Sequence, residues 1–240
     1  MIPPHIHILD FNGVYEEQRT LKSLAEFVFS KRIEGVRYMV FPEKIPEIEN
    51  ILPPHPGVTF LGDGEFHHLT YLIIKKIKRP FVLVVFDNHL DAREEEFLTC
   101  DSWIRKALKL KHLVKVVVVG TQEQEKIHRV FYSETDPQKI LKLFGRYPVY
   151  LSVDKDVLNI GITGWERGRV SLEELLNVLR HIPLRKILGL DICGEPDPLE
   201  FWKIKESEKI NLSILSALFF EKLHYVPGSE YLERKPAHVT

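Results

Sequence analysis

The stretch Phe81–Asp91, FVLVVFDNHLD, decides how this chain is read. It opens with an unbroken apolar run rich in β-branched and aromatic side chains, the composition of a strand buried on both faces, as in a parallel sheet. The run stops at Asp87, and Asp87, His89 and Asp91 follow at alternate positions. In extended backbone alternate side chains share one face, so two carboxylates and an imidazole converge at the strand's carboxyl end. Such a group is a metal-ligand set. A second stretch, VYLSVDKD at Val149–Asp156, has the same grammar, an apolar strand ending in Asp154 and Asp156. Ligands of open α/β sheets sit beyond the carboxyl ends of the strands, so the two acidic ends are expected to meet.

Around these stretches strand and helix patterns alternate. Ile6–Phe11 is predicted as a first strand, followed after Asn12-Gly13 by a helix over Glu16–Lys31 with Leu21, Leu24, Ala25 and Val28 on one face. Arg37–Phe41 is predicted as a short strand. The five prolines between Pro42 and Pro56 exclude long regular structure there. Val58–Leu61 is a third strand, and Gly62-Asp63-Gly64 turns into a helix over Glu65–Lys78 that carries His67 and His68 in its first turn. Beyond the central strand come a loop at Ala92–Asp101, a helix at Ser102–Leu110, a strand at Val114–Val119 and the weakest strand of the set at Arg129–Tyr132. Asp136 caps a helix that begins at Pro137, and Ser171 with Glu174 forms a capping-box pattern after the loop Asn159–Arg169. A strand at Lys186–Leu190 and a helix at Ser207–Lys222 complete the pattern. The expectation is one α/β domain over residues 1–240, a three-layer α/β/α sandwich with a central, mostly parallel sheet.

Composition narrows the partners. With 33 Lys and Arg against 34 Asp and Glu the formal net charge is −1, which supplies no global field for nucleic acid or an anionic membrane. No leading apolar segment and no run of about 18 apolar residues occurs, so neither secretion nor membrane spanning is expected. The two cysteines, Cys100 and Cys193, suit a reducing cytoplasm. Charged residues at 28% hint at a thermophilic source.

The motifs together resemble those of the ureohydrolases, the family of arginase and agmatinase. Asp87-Asn88-His89-Leu90-Asp91 resembles their Asp-Ala-His-x-Asp motif, and Ser152-Val153-Asp154-Lys155-Asp156 their Ser-x-Asp-x-Asp, in the same order. Gly64-Glu65-Phe66-His67-His68 stands where the family has Gly-Gly-Asp-His-Ser. The resemblance implies two Mn²⁺ ions per chain. His67, Asp87, Asp91 and Asp154 would hold one and Asp87, His89, Asp154 and Asp156 the other; four carboxylates balance the charge of two divalent cations, and an oxygen-rich set with one imidazole per ion suits Mn²⁺. It further implies a hydroxide shared by the two ions that attacks a guanidinium carbon, with Asp91 as proton acceptor. Glu65 and His68 remain alternatives to His67 as the sixth ligand. Glu195, in Asp191-Ile192-Cys193-Gly194-Glu195, stands one residue out of register with the family's guanidinium-binding glutamate.

Departures from the family pattern bear on activity. The family's proton-shuttling histidine has no counterpart, and Cys100 falls in its place, either as a proton donor or as a small packing residue. The family's Asp-Pro and Gly-Gly signature after the second motif is absent. The expected substrate is a small guanidino or amide compound hydrolysed at a C–N bond. The alternatives are a catalytically silent arginase-fold metal-binding protein and a deacetylase-like amidohydrolase, though Asp91 and Asp156 favour two cations over one. Whether the chain forms a homo-oligomer is left open.

Overall fold

A computed structural model of the chain describes residues 5–53 and 57–220. Strand β1 (Ile6–Asp10) leads through a turn at Gly13 into a short helix α1 (Arg19–Leu24), whose first amides, Thr20 N and Leu21 N, donate to Glu208 Oε1 at 2.7 and 3.1 Å. The helix ends there, and residues Phe27–Ser30 form strand β2, paired in parallel with β1. The long helix expected over Glu16–Lys31 is thus corrected. Phe27, Val28 and Phe29 favour extended backbone, and pairing with His7, Ile8 and Leu9 satisfies their amides better than a last helical turn would.

Strand β3 (Met39–Val40) is shorter than expected and joins β6 (Leu98–Thr99) in a separate antiparallel pair. The proline-rich region holds one seven-residue helix, α2 (Ile45–Ile51), with a proline in its first turn, where the missing N–H costs nothing. After β4 (Val58–Phe60), the expected helix Glu65–Lys78 is a 3₁₀ turn at Gly64–Phe66 followed by α3 (Leu69–Ile74). His67 therefore lies at the junction of the two, directly beyond the edge of β4.

The central strand β5 (Phe81–Phe86) is buried along its whole length. Helix α4 (Trp103–Ala107), β7 (Leu113–Val119) and the edge strand β8 (Val130–Ser133) follow. Next come α5 (Pro137–Phe144), β9 (Val149–Asp154), α6 (Leu172–His181), β10 (Ile187–Cys193) and α7 (Phe201–Leu215), which runs into a π-helical turn at Ser216–Phe220. Strand β10 continues past Leu190, so Asp191 belongs to the strand instead of ending it. Helix α7 starts at Phe201, earlier than expected, because exposed Phe201 and Trp202 obscure its polar face; the expected end at Lys222 lies outside the described residues.

The main sheet has eight strands in the order β2-β1-β4-β10-β9-β5-β7-β8, and every pairing is parallel. Period-two alternation divides β5 between two cores. Val82, Val84 and Phe86 pack with Leu21, Ile140, Leu175 and Ile204 of α1, α5, α6 and α7 on one face; Phe81, Leu83 and Val85 pack with Ile48, Leu69 and Trp103 of α2, α3 and α4 on the other. The molecule is therefore a three-layer α/β/α sandwich. The caps form as their sequences imply: Asp136 accepts from Gln138 N and Lys139 N, and Ser171 and Glu174 exchange the two capping-box hydrogen bonds.

Candidate metal centre

Four neighbouring strands, β4, β10, β9 and β5, bring the chemistry to one sheet edge. The register aligns Phe86 with Val153, so Asp87 and Asp154 emerge side by side, and Cys193 is aligned with Asp154 from the other flank. His67 arrives from the turn after β4. Its Nδ1 lies 3.2 Å from Asp87 Oδ2, 3.1 Å from Asp91 Oδ2 and 3.6 Å from Asp154 Oδ2. On the solvent side His89 Nδ1 lies 2.8 Å from Asp156 Oδ2 and 3.8 Å from Asp87 Oδ1. Asp87 thus belongs to two ligand-capable triads, His67/Asp87/Asp91 and Asp87/His89/Asp156; a third, His67/Asp154/Cys193, meets the first at His67.

Backbone amides fix the acids before any ligand arrives. Asp87 Oδ1 accepts from His89 N at 2.7 Å, Asp154 Oδ1 from Asp156 N at 3.0 Å and Asp156 Oδ1 from Asn88 N at 3.1 Å. Asp91 adopts φ +50°, and its Oδ2 accepts from Trp103 Nε1 at 2.8 Å. These contacts hold one oxygen of each carboxylate and leave others turned inward. Asp87 Oδ2 is buried without a hydrogen-bond partner.

The hydrogen bonds behind His67 decide what the centre can accept. Ser152 Oγ donates to Asp191 Oδ1 at 2.6 Å, and Thr70 Oγ1 donates to the same oxygen at 3.0 Å. Burial raises the Asp191 pKa to about 6, still low enough to keep this acceptor ionised at neutral pH. With its own proton committed, Ser152 Oγ accepts from His67 Nε2 at 2.9 Å, so in the neutral imidazole the Nδ1 lone pair faces three carboxylates. A lone pair and carboxylate oxygens turned toward one another are compatible with a cation between them, and oxygen and imidazole donors suit a divalent one. Without it, burial and the charges of Asp91 and Asp156 raise the Asp87 pKa well above the carboxylate range, while burial and Asp156 raise that of Asp154 to about 7. His89 is pushed up to about 9 by its hydrogen bond to Asp156. The donor set fits divalent metal, and protons take its place when it is absent.

The two alternatives to His67 are engaged elsewhere. His68 is buried with Nε2 3.0 Å from Val36 O, and burial lowers its pKa to about 3; Glu65 is ion-paired with Arg37. Cys100 lines the cleft, but burial, with Asp91 and Asp101 nearby, pushes its thiol up to about 12. Glu195 is not brought to the cleft. It is fully buried, ion-paired with Lys155, and accepts from Gln18 Nε2 at 2.7 Å, Ser207 Oγ at 2.7 Å and Asn211 Nδ2 at 2.8 Å. Lys155 reaches that network from the first position of the 3₁₀ turn Lys155–Val157 that follows β9. Its ammonium occupies the place at Glu195 that a substrate guanidinium was expected to take.

Sequence reasoning missed several residues. Trp103 and Trp165 lie with their rings 4.8 Å from His67 and 5.8 Å from His89, and no spacing rule could place them. Asp191 and Cys193 carried a usable signal, since alternate residues at a strand's carboxyl end must share a face. The buried pair also gives a test. Glu195→Gln leaves the Lys155 ammonium uncompensated and is expected to destabilise the fold by about 3–5 kcal/mol; a change in substrate KM with stability intact would instead return Glu195 to the cleft.

Comparison with solved structures places this geometry in a known fold. The chain matches the agmatine ureohydrolase of Thermoplasma volcanium with a TM-score of 0.69 at 15% identity, covering 93% of this chain and 92% of that one. It matches the proclavaminate amidino hydrolase of Streptomyces clavuligerus at 0.67 and 16%, covering 90% and 91%. For the formimidoylglutamase of Bacillus subtilis the values are 0.64 and 14%, covering 90% and 87%. No family model matches. An uncharacterized protein of Thermotoga maritima is 92% identical over 240 residues, the whole of both chains. By fold the chain is arginase-like, and by sequence it belongs to one family with that Thermotoga maritima protein.

Proposed function

We propose that the chain is a metal-dependent hydrolase of a C–N bond in a small, cationic guanidino or amide compound. The observation that carries this reading is Asp87, buried in the lining of one cleft and shared between two triads of imidazole and carboxylate. The cleft has a volume of about 810 Å³, within the range of small-molecule sites. Beyond the triads its lining adds Glu95, Asp101, Glu123 and Glu125, against Arg93, which pairs with Asp101. That rim favours an amine or guanidinium over an anion. Solved neighbours are named for agmatine and for an amidino substrate, which agrees in chemistry.

Two divalent cations, with Mn²⁺ the match for nitrogen and oxygen donors, would be held by His67, Asp87, Asp91 and Asp154 and by Asp87, His89, Asp154 and Asp156. Bound there, they would supply a field that makes water acidic enough to act as a nucleophile near neutral pH. The chain's own residues do the rest. Ser152 and Asp191 fix the His67 tautomer, and Trp103 holds the Asp91 carboxylate, which would serve as the proton acceptor. Trp165, set over His89, walls one side of the cleft.

A second reading, a metal-binding protein with little turnover, is favoured by the state of Cys100, His68 and His128, the proton-carrying candidates among the described residues. Cys100 holds its proton at neutral pH, His68 is buried against Val36, and exposed His128 lies away from the cleft. General acid–base groups typically contribute about 10²–10⁴-fold, so slow hydrolysis of arginine and agmatine is expected, with Cys100→Ser leaving kcat within about twofold. Arginase-like turnover, or a large loss in Cys100→Ser, would contradict this account.

Metal content gives a direct test. The purified protein is expected to bind two Mn²⁺ per chain by elemental analysis, Asp87→Asn to lose both and Asp156→Asn to keep about one. Loss of a single ion in both variants would contradict the sharing of Asp87. Protons and metal compete for the same oxygens, so the rise in Tm on adding Mn²⁺ should be small at pH 5, where Asp154 (about 7) and His89 (about 9) are protonated, and should grow toward pH 8. A rise independent of pH would place the metal elsewhere.

A further inference from the structure

Cys193 is the donor at this centre that the two-cation arrangement leaves unused. It is fully buried at the end of β10, and the register that sets Asp191 beside Ser152 sets Cys193 beside Asp154. Alternation along β10 therefore sends the Cys193 thiol to the face on which Asp191 reaches Ser152. Cys193 Sγ lies 3.2 Å from Asp154 Oδ2, which lies 3.6 Å from His67 Nδ1. The three donor atoms fall within 4.8 Å of one another. Donors about 2.0–2.3 Å from one ion are separated by about 3–3.6 Å, so the 3.2 and 3.6 Å separations at Asp154 Oδ2 match those of ligands around a single cation.

Two further features point the same way. Asp87 Oδ2, buried and without a hydrogen-bond partner, is directed at the same His67 Nδ1 from 3.2 Å. Gly194, at φ +81°, lets the strand end close on the acid, since a Cβ there would come within 2.4 Å of Asp154 Oδ1. His67 belongs both to the triad with Asp87 and Asp91 and to that with Asp154 and Cys193, and its Nδ1 faces Asp87, Asp91 and Asp154 together. One nitrogen lone pair binds one cation, so the two triads describe a single position.

We propose that Cys193 is a thiolate ligand of the cation at His67, which makes that position favour a thiophilic divalent ion such as Zn²⁺ or Co²⁺ over the Mn²⁺ that fills it when Mn²⁺ alone is supplied, while Asp87, His89 and Asp156 form the position suited to Mn²⁺. The inference rests on the metal-centre reading above. Ligation breaks the Cys193 S–H bond, releases its proton to solvent and directs a sulfur lone pair to the ion, without redox change.

Loading the full-length protein with Co²⁺ alone tests it. A sulfur-to-metal charge-transfer band in the near ultraviolet is expected in the unmodified protein and in Cys100→Ser, and its loss is expected in Cys193→Ser. Zn²⁺ affinity should fall about tenfold or more in Cys193→Ser. Bound Co²⁺ without the band, or a band that persists in Cys193→Ser, overturns the thiolate assignment and leaves the metal centre standing. No bound Co²⁺ overturns both. If Cys193→Ser does not fold, the spectra of the unmodified protein and Cys100→Ser still decide between a thiolate and a thiol that only donates to Asp154.

Discussion

Repulsion among buried carboxylates is the constraint on which the candidate site depends. Asp87, Asp91, Asp154 and Asp156 are brought within reach of two imidazoles by strands whose register is fixed by buried apolar side chains. The core contributes far more than the acids cost, so the sheet can hold like charges together that would separate in water. The result is a preorganised candidate cation site. Backbone amides and Trp103 hold some of the oxygens, and the unpartnered Asp87 Oδ2 marks where a positive charge belongs.

The opposite face of the same segment carries a compensating arrangement. Lys155 sits between two of the acids in sequence and reaches Glu195, Ser207 and Asn211 in the layer of α7. A buried ion pair of this kind adds little net stability but strongly penalises any rotation of its segment, because rotation would strand an ammonium in apolar surroundings. It therefore fixes the direction in which Asp154 and Asp156 point. The same pairing closes Glu195 to an outside cation, so under the proposed function a positively charged compound would be recognised at the acidic rim of the cleft.

The architecture was legible in the sequence wherever burial and periodicity agreed. Phe81–Phe86 and Val149–Asp154 are interior parallel strands with their carboxyl ends on one edge, and the capped helices α5 and α6 begin at Pro137 and Leu172. Periodicity misled at Phe27–Ser30, where an apparent helical stripe gave way to an edge strand whose pairing partner no local pattern reveals. Alternation pointed to Asp87, His89, Asp91, Asp154 and Asp156 as neighbours, and the structure gathers them with His67 through the turns that follow β4, β5 and β9. Alternation could not tell His67 from His68, because that choice depends on which imidazole the Gly64–Phe66 turn aims inward. Nor could it foresee that Glu195 closes on Lys155, a contact between residues 40 positions apart set by the packing of α7.

The most direct measurement of the central claim is anomalous diffraction from crystals of the unmodified protein equilibrated with Mn²⁺, recorded near the manganese edge. Two peaks are predicted, one on either side of the Asp87 carboxylate, the inner beside His67 and the outer beside His89. A single peak, or two peaks that do not share Asp87, would contradict it.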